Sequence, residues 1–546
     1  MRTSSQNKTE TYVDYMGGSL YPESLIRVHT EFLASNVLGN THSISASSQL
    51  SLKHSVEARR AVLEFFGAPC GSNSDEYTVI FTPNASGALK LVGEAYQFSK
   101  SNAFVLSTDS HNSVNGIREF ARRGGAKVVY VPAGGQKGEE GAFDLDEGKR
   151  ILQRNKPRPG TSSLLALTGL SNITNAKCSG KADSIVTYAR DLGYHTLLDA
   201  AALAPTSRIS LAQLPVDALV VSFYKMFGFP TGVGALVIRK SFLRLLRRSR
   251  PWFAGGTVDV VQVPGNVRTM KGDGTINYLL LPAITSGLHL LSAYLPFLPL
   301  RLNCLLHYIV AELELIRHRD RDGRLIDRTM YQSEGGTDGI ESQLGMPVCK
   351  VLSRVPKKVL KVVGETDEEA GAVISCIFLD EVGEALPLSF IAHSAAHDGI
   401  SLRTGCMCNP GGAAALLGIQ ESMKDVEEGG MMREGMTLKQ FEEEVERRME
   451  LGVVRISLGL GSDWSDLWRI LQWVKRLGDM GERKVMWRRW LGRQAEPGDE
   501  WQEVEGGGIR RRDVAVCVPC KGLEKDVQSI SLVEEEIWDT MIGRAI

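Results

Sequence analysis

Lys225 stands in the run Val-Val-Ser222-Phe-Tyr-Lys-Met-Phe-Gly-Phe-Pro-Thr-Gly-Val-Gly-Ala-Leu-Val-Ile. A β-rich stretch, Ala218 to Val221, breaks off in a polar pair and this lysine, and a glycine-rich turn leads into a second β-rich stretch. That setting puts the amine at the mouth of a sheet rather than on a solvated helix face. Upstream, His195-Thr-Leu-Leu-Asp199 reads as another strand, ending in a carboxylate. One lysine and one carboxylate, each at a strand end, meet the needs of pyridoxal phosphate chemistry. The amine forms a Schiff base with the aldehyde, and the carboxylate keeps the pyridine nitrogen protonated so that the ring accepts electrons.

Other strand ends carry further candidates. Thr82-Pro-Asn-Ala85-Ser86-Gly follows the strand-like Thr78–Phe81 and opens a helix. Its free N–H groups and dipole attract a phosphate, or Asn84 or Ser86 simply caps it. Ser107-Thr-Asp-Ser-His111 puts a histidine at a strand mouth, suited to stacking on a planar ring and relaying protons, or to a structural role alone. After Leu164–Leu167, the amide of Asn172 reaches a ring oxygen or closes a turn. In Arg403-Thr-Gly-Cys406-Met-Cys408-Asn-Pro-Gly-Gly the turn signal places both thiols on an exposed, mobile loop. Arg403 can lower a thiol pKa or grip a carboxylate. The CxC spacing lacks two further ligands for a tetrahedral metal, so a nucleophilic thiol is expected and no metal site. Arg455, inside the strand-like Val453–Leu458, requires a buried partner or a bound anion.

The elements that hold these residues alternate. Short β-rich runs (also Lys127–Val131) are separated by amphipathic stretches such as Ser55–Phe66 and Ile185–Gly193. An α/β fold with a mostly parallel sheet follows, in which ligands bind beyond the carboxyl ends of the strands. The character changes near Thr285–Leu315, where long helices begin, and Ala372–Leu379 and Val453–Leu458 then read as strands of a smaller α+β unit. The expected division is a large domain over 1–300, a small domain with the cysteine loop over 301–480, and a charged tail over 481–546. The large domain's N-terminal segment is free to pack on the small one. The charged run Glu421–Glu450 reads as a solvated helical insertion. Cys517-Val-Pro-Cys520 in the tail is a lone pair that cannot complete a four-ligand zinc site.

The bulk numbers narrow the function classes. The 546 residues are 43% hydrophobic and 23% charged with a net charge of −1, an ordinary globular balance that gives no electrostatic case for nucleic acid or an anionic membrane. The apolar stretch Tyr278–Leu302 contains three prolines and His289 and reads as core helices rather than a membrane span. The N-terminus is polar and lacks the apolar core of a signal peptide; with nine cysteines, reduced thiols in the cytoplasm are expected.

Taken together, the lysine and cysteine motifs, with Tyr21-Pro-Glu-Ser, Gly39-Asn-Thr-His-Ser and Asp273-Gly-Thr-Ile-Asn, resemble the class V aminotransferase family of fold type I pyridoxal phosphate enzymes. Within it they are most similar to the cysteine-desulfurase part of molybdenum cofactor sulfurases, over roughly residues 10–475. The resemblance implies Lys225 as the Schiff-base lysine, Asp199 as the pyridinium partner, and His111 stacked on the ring. It implies Asn172 at the ring oxygen or substrate, and Ala85, Ser86 and Ser222 on the phosphate. Thr275 would reach the phosphate of a neighbouring subunit in a homodimer. Arg455, with Arg403 nearby, would take the substrate carboxylate, and Cys408 would form the persulfide, with Cys406 its neighbour. The implied activity is an L-cysteine desulfurase that releases alanine. Its implied sulfur acceptor is molybdenum cofactor or a protein that carries it.

Tyr224 and Ala202 stand where bacterial desulfurases have His and Gln, which favours the sulfurase branch. Asp14-Tyr-Met-Gly departs from that branch's Asp-His-Ala-Gly. The stretch after Gly478 is too short for the MOSC domain of full-length sulfurases, and Val514–Lys521 has the look of the start of a truncated one. A pyridoxal phosphate lyase or aminotransferase of specialised metabolism, and a dimeric scaffold without activity, are the competing expectations.

Overall fold

The computed structural model describes residues 10–69, 76–133, 141, 143–246, 275–326, 345–419 and 450–494, with the short strands Trp501–Val504 and Gly508–Arg511. The run 421–449, the Cys517/Cys520 pair and Asp273-Gly274 lie outside these residues.

The larger sheet has seven strands: β1 (Tyr77–Thr82), β2 (Ala103–Ser107), β3 (Lys127–Val131), β4 (Ser163–Thr168), β5 (Tyr194–Asp199), β6 (Ala218–Ser222) and β7 (Gly234–Arg239). Their order is β1-β7-β6-β5-β4-β2-β3. The pairs β2/β3, β2/β4, β4/β5 and β5/β6 are parallel, and β7 alone runs against its neighbours β1 and β6. The carboxyl ends of the other six therefore share one edge, as expected for a mostly parallel α/β sheet. The central strands carry apolar side chains on both faces because both faces are covered. Val105, Leu165, Leu198, Leu219 and Val237 enter one core. Their neighbours Phe104, Leu164, Leu197, Val220 and Ile238 enter the other. Helices 46–65 and 179–191 pack on the first face, and helix 85–95 on the second.

A third core gathers the smaller sheet, β8 (Cys349–Val351), β9 (Val373–Phe378), β10 (Arg403–Gly405) and β11 (Val453–Ser457), in the antiparallel order β10-β11-β9-β8. Helix Leu298–Leu315 joins it, whereas helix Leu281–Tyr294 packs in the first core. These two helices meet at a 65° bend, and no single described helix is long and apolar enough to cross a membrane. The N-terminal segment reaches over to the smaller sheet: Thr11–Tyr12 pairs with Ile400–Ser401, and Val13 is buried in the third core.

The charged stretch after residue 480 begins as a helix, Met480–Gln494, whose Trp487 and Trp490 cover Phe390. Arg483 anchors it, donating to His318 Nδ1 at 2.8 Å, while His318 Nε2 donates to the Leu379 carbonyl at 3.0 Å. Burial, reinforced by Arg483, pushes the His318 pKa down to about 4. The unfolded imidazole takes up its proton near the ordinary value of ~6.5. The native state thus binds fewer protons than the unfolded state between these values, and stability falls as pH drops through that window. A loss of about 2–3 kcal/mol is expected by pH 4. Thermal melting of wild type and His318→Gln from pH 7 to 4 checks this, since the variant should lose less.

Candidate active site

A cavity of about 140 Å³ opens at the shared carboxyl edge, lined by Ala85, Ser86, His111, Asn172, Asp199, Ser222 and Lys225, together with Asn84, Ser113 and Tyr224. Seven of the residues singled out in the sequence thus meet in one place. Arg455, Arg403, Cys408 and Thr275 are not in its wall, although the first three connect to it through hydrogen bonds or charge.

Lys225 lies in the one-turn helix Phe223–Phe227 that follows β6. Gly228 ends this helix at φ +79°, and a Cβ there would come within 2.4 Å of the Tyr21 backbone nitrogen, so glycine is required. No described group hydrogen-bonds or ion-pairs with the Lys225 amine. Burial lowers its pKa; Asp199 opposes that shift, and the charges of Arg455 and Arg403 add to it. The amine is therefore biased toward its neutral, nucleophilic form. Asp199 closes β5 and is 9% exposed; Oδ1 accepts from the Ala201 N–H at 3.1 Å, and Oδ2 has no partner among the described residues. His111 Nδ1 accepts from the Ser113 N–H at 3.1 Å, which sets the tautomer with the proton on Nε2. Burial lowers the His111 pKa against the pull of Asp199. The imidazole is thus a neutral ring with one N–H to offer.

At the start of helix Ala85–Ala95, Asn84 caps the Gly87 N–H, and the Ala85 N–H donates to Ser222 Oγ at 2.8 Å. Ser86 Oγ and Ser113 Oγ lie 2.6 Å apart. Hydroxyls and a helix N-terminus together form an anion cradle. Ser113 was passed over in the sequence because only the fold brings it across from the next strand end.

The thiol segment is an irregular loop, in keeping with its turn signal. Met407 and Cys408 both adopt left-handed backbone angles, φ +54° and +55°. Two such residues with side chains cost roughly 1–2 kcal/mol each. The loop is tied down: the Asn112 N–H donates to the Cys408 carbonyl at 2.7 Å, and Asn172 Nδ2 to the Met407 carbonyl at 2.7 Å. Asn172, expected at a ring oxygen, therefore has its amide nitrogen engaged by this loop. The two cysteines also differ. Cys408 is exposed, and its charge registers at Lys225. Cys406 is half-buried against Ile173, Met407 and Val453, its thiol 3.8 Å from the Leu451 carbonyl.

Arg455 and Arg403 face each other across β11 and β10. The buried partner that Arg455 required is Asp14, whose Oδ1 lies 2.7 Å from Arg455 Nη2 and whose Oδ2 lies 2.7 Å from Arg403 Nη2. Arg455 also donates to the Asn172 carbonyl at 3.2 Å, and its buried Nε has no partner among the described residues. Two guanidiniums on one carboxylate leave one net positive charge beside the cavity. Thr275 is exposed and is not among the residues that line the cavity of its own chain.

Comparison with known proteins agrees with this geometry. Solved structures with the same fold include a cysteine desulfurase from Thermococcus onnurineus NA1 (TM-score 0.62, 19% identity, 86% of this chain and 94% of that one). Another is a cysteine desulfurase from Escherichia coli (TM-score 0.59, 18% identity, 87% and 95%). Among curated relatives, the molybdenum cofactor sulfurase of Oryza sativa subsp. japonica is 28% identical, over 85% of this chain and 55% of its own length. That of Arabidopsis thaliana is 26% identical, over 86% and 56%. The chain spans about half the length of the curated relatives it matches. The model of the aminotransferase class-V family matches residues 11–294, more than half of the sequence, and the chain belongs to that family.

Proposed function

We propose that the protein is a pyridoxal-phosphate-dependent L-cysteine desulfurase that carries the abstracted sulfur as a persulfide on Cys408. The observation that carries this reading is the junction of two sites. The cavity with Lys225, Asp199 and His111 is tied through Asn172 and Asn112 to an exposed thiol. Pyridoxal phosphate fits the donors present. An amine and a carboxylate oxygen without partners among the described residues meet an aldehyde and a pyridinium, and the Ser86–Ser113–Ser222 cradle meets a phosphate. When bound, that group supplies an electron sink for breaking bonds at the amino acid.

The chain's own residues do the rest. His111 offers a flat, neutral face and an Nε2–H. The one net positive charge of the Arg403–Asp14–Arg455 cluster receives a carboxylate. The Cys408 thiolate attacks the substrate sulfur: the sulfur–sulfur bond forms, the carbon–sulfur bond breaks, and the carbon takes a proton. Cysteine and protein thiol thereby become alanine and protein persulfide with atoms and electrons balanced. The shared likeness to molybdenum cofactor sulfurases supports molybdenum cofactor, or a protein carrying it, as acceptor. The reading places the protein in a reducing, cytoplasmic setting, which a reactive thiol needs. Incubation of the protein with pyridoxal phosphate and L-cysteine tests the reading: alanine and a persulfide on Cys408 should appear together, and neither product would refute it.

Two further outcomes follow. Arg455→Ala removes a 2%-exposed guanidinium that holds Asp14. Truncating one member of such a pair costs roughly 2–5 kcal/mol. The apparent affinity for L-cysteine should therefore fall about 30-fold or more, while pyridoxal absorbance stays near wild type. Equal affinity in titrations would exclude the role. Thr275, absent from the wall of its own cavity, serves a phosphate in this reading when a second copy supplies it. The protein should then be a homodimer in light scattering, and a fully loaded monomer would exclude that assembly.

A further inference from the structure

Asp109 takes no part in the chemistry above, yet it is tied to three of the segments that perform it. It is 2% exposed, lies two residues before His111, and pairs with no arginine or lysine among the described residues. Its Oδ1 accepts from Ser171 Oγ at 2.7 Å and from Asn409 Nδ2 at 2.6 Å, and its Oδ2 from Thr174 Oγ1 at 2.6 Å. Ser171 and Thr174 belong to the turn that carries Asn172, whereas Asn409 directly follows Cys408. Asn409 Nδ2 also reaches Asn172 Oδ1 at 3.1 Å, and Asn172 in turn holds the Met407 carbonyl. One buried carboxylate thus joins the histidine segment, the asparagine turn and the thiol loop.

The fit is steric as well as polar. A Cβ on Gly411 would lie 2.1 Å from the Thr108 carbonyl oxygen, and one on Gly412 would lie 2.6 Å from Asp109 Oδ1. Only glycine lets the loop approach this closely. The loop held there contains the two left-handed residues Met407 and Cys408, a conformation that relaxes once its ties are cut.

We propose that Asp109 is a positioning residue: through Asn409 and Asn172 it holds the strained thiol loop so that the Cys408 sulfur is presented to the cavity. This rests on the reading of Cys408 as the persulfide carrier.

Asn409→Asp sets a second carboxylate against Asp109 while keeping the oxygen that caps the Gly412 N–H. Two rates are measured on the pyridoxal-phosphate-loaded full chain. One is alkylation of Cys408 by iodoacetamide, resolved from Cys406 by peptide mass spectrometry; the other is persulfide formation from L-cysteine. With the loop untied, alkylation should rise at least 5-fold and persulfide formation fall at least 10-fold, with KM for L-cysteine and pyridoxal absorbance near wild type. Combining Asp109→Asn with Asn409→Asp exchanges donor and acceptor, and both rates should return toward wild type. Wild-type rates in folded, loaded Asn409→Asp, or no recovery in the exchanged pair, would overturn the proposal. Asn409→Ser keeps a capping oxygen, removes both donated bonds and gives the same readout should Asn409→Asp not fold. Alkylation uses no L-cysteine. A wild-type protein that forms no persulfide therefore defeats the desulfurase reading, while the alkylation comparison still judges the role of Asp109.

Discussion

Lys225→Ala is expected to abolish the visible absorbance of bound pyridoxal phosphate and to lower turnover of L-cysteine by about 1,000-fold or more, the equivalent of about 4 kcal/mol in the barrier. The expectation rests on position. The amine has no partner among the described residues, and burial drives its pKa down even though Asp199 opposes the shift. Such a group is costly to the fold and useful only to a ligand. The effect on stability follows by linkage. A lysine whose native pKa lies below its unfolded value binds fewer protons when folded, which weakens the native state at neutral pH. The variant should therefore melt at the temperature of cofactor-free wild type or above. Borohydride reduction followed by mass spectrometry decides the assignment. A reducible, covalently held cofactor in Lys225→Ala would move the attachment to another lysine.

The framework of this site was legible because parallel strands buried on both faces are written as unbroken apolar runs. The expected run Lys127–Val131 matches β3 to the residue, and those for β1, β4, β5 and β6 agree to within two residues at either end. The rule that ligands bind beyond strand ends then directed attention to His111, Asn172, Asp199 and Lys225, and all four line one cavity. What stayed hidden depends on contacts between segments far apart in the chain. Asp14 was visible as the acid of a motif whose next two residues depart, but nothing local shows that it sits between Arg403 and Arg455, nearly 400 residues and more away. Asp109 looked like one polar residue in a polar turn, and its three donors come from 62 to 300 positions along the chain. The short strand Cys349–Val351 carries too few residues for a period-two pattern to register. The choice between the two thiols was open in the sequence, since Asn409-Pro410 breaks any regular alternation. The different exposure of Cys406 and Cys408 is a property of the folded loop.

That difference supports the second large effect. Cys408→Ser should still bind pyridoxal phosphate and L-cysteine with near wild-type affinity, because Cys408 is not part of the cavity wall. It should form no protein persulfide, and alanine release should fall by about 100-fold or more, since a serine hydroxyl is not ionised at neutral pH and cannot take up sulfur as a thiolate does. Cys406→Ser should keep most of both, because the Cys406 thiol is half-buried against an apolar cluster and turned toward the Leu451 carbonyl. Mass spectrometry after brief exposure to L-cysteine, with alanine measured in parallel, separates the outcomes. A sulfur adduct on Cys406 in Cys408→Ser, with alanine release preserved, would transfer the nucleophile to Cys406. Should neither substitution slow alanine release, no loop thiol acts in the reaction. The cavity would then be that of a lyase or aminotransferase whose cysteine loop only covers it, and the junction between cavity and thiol would lose its functional meaning.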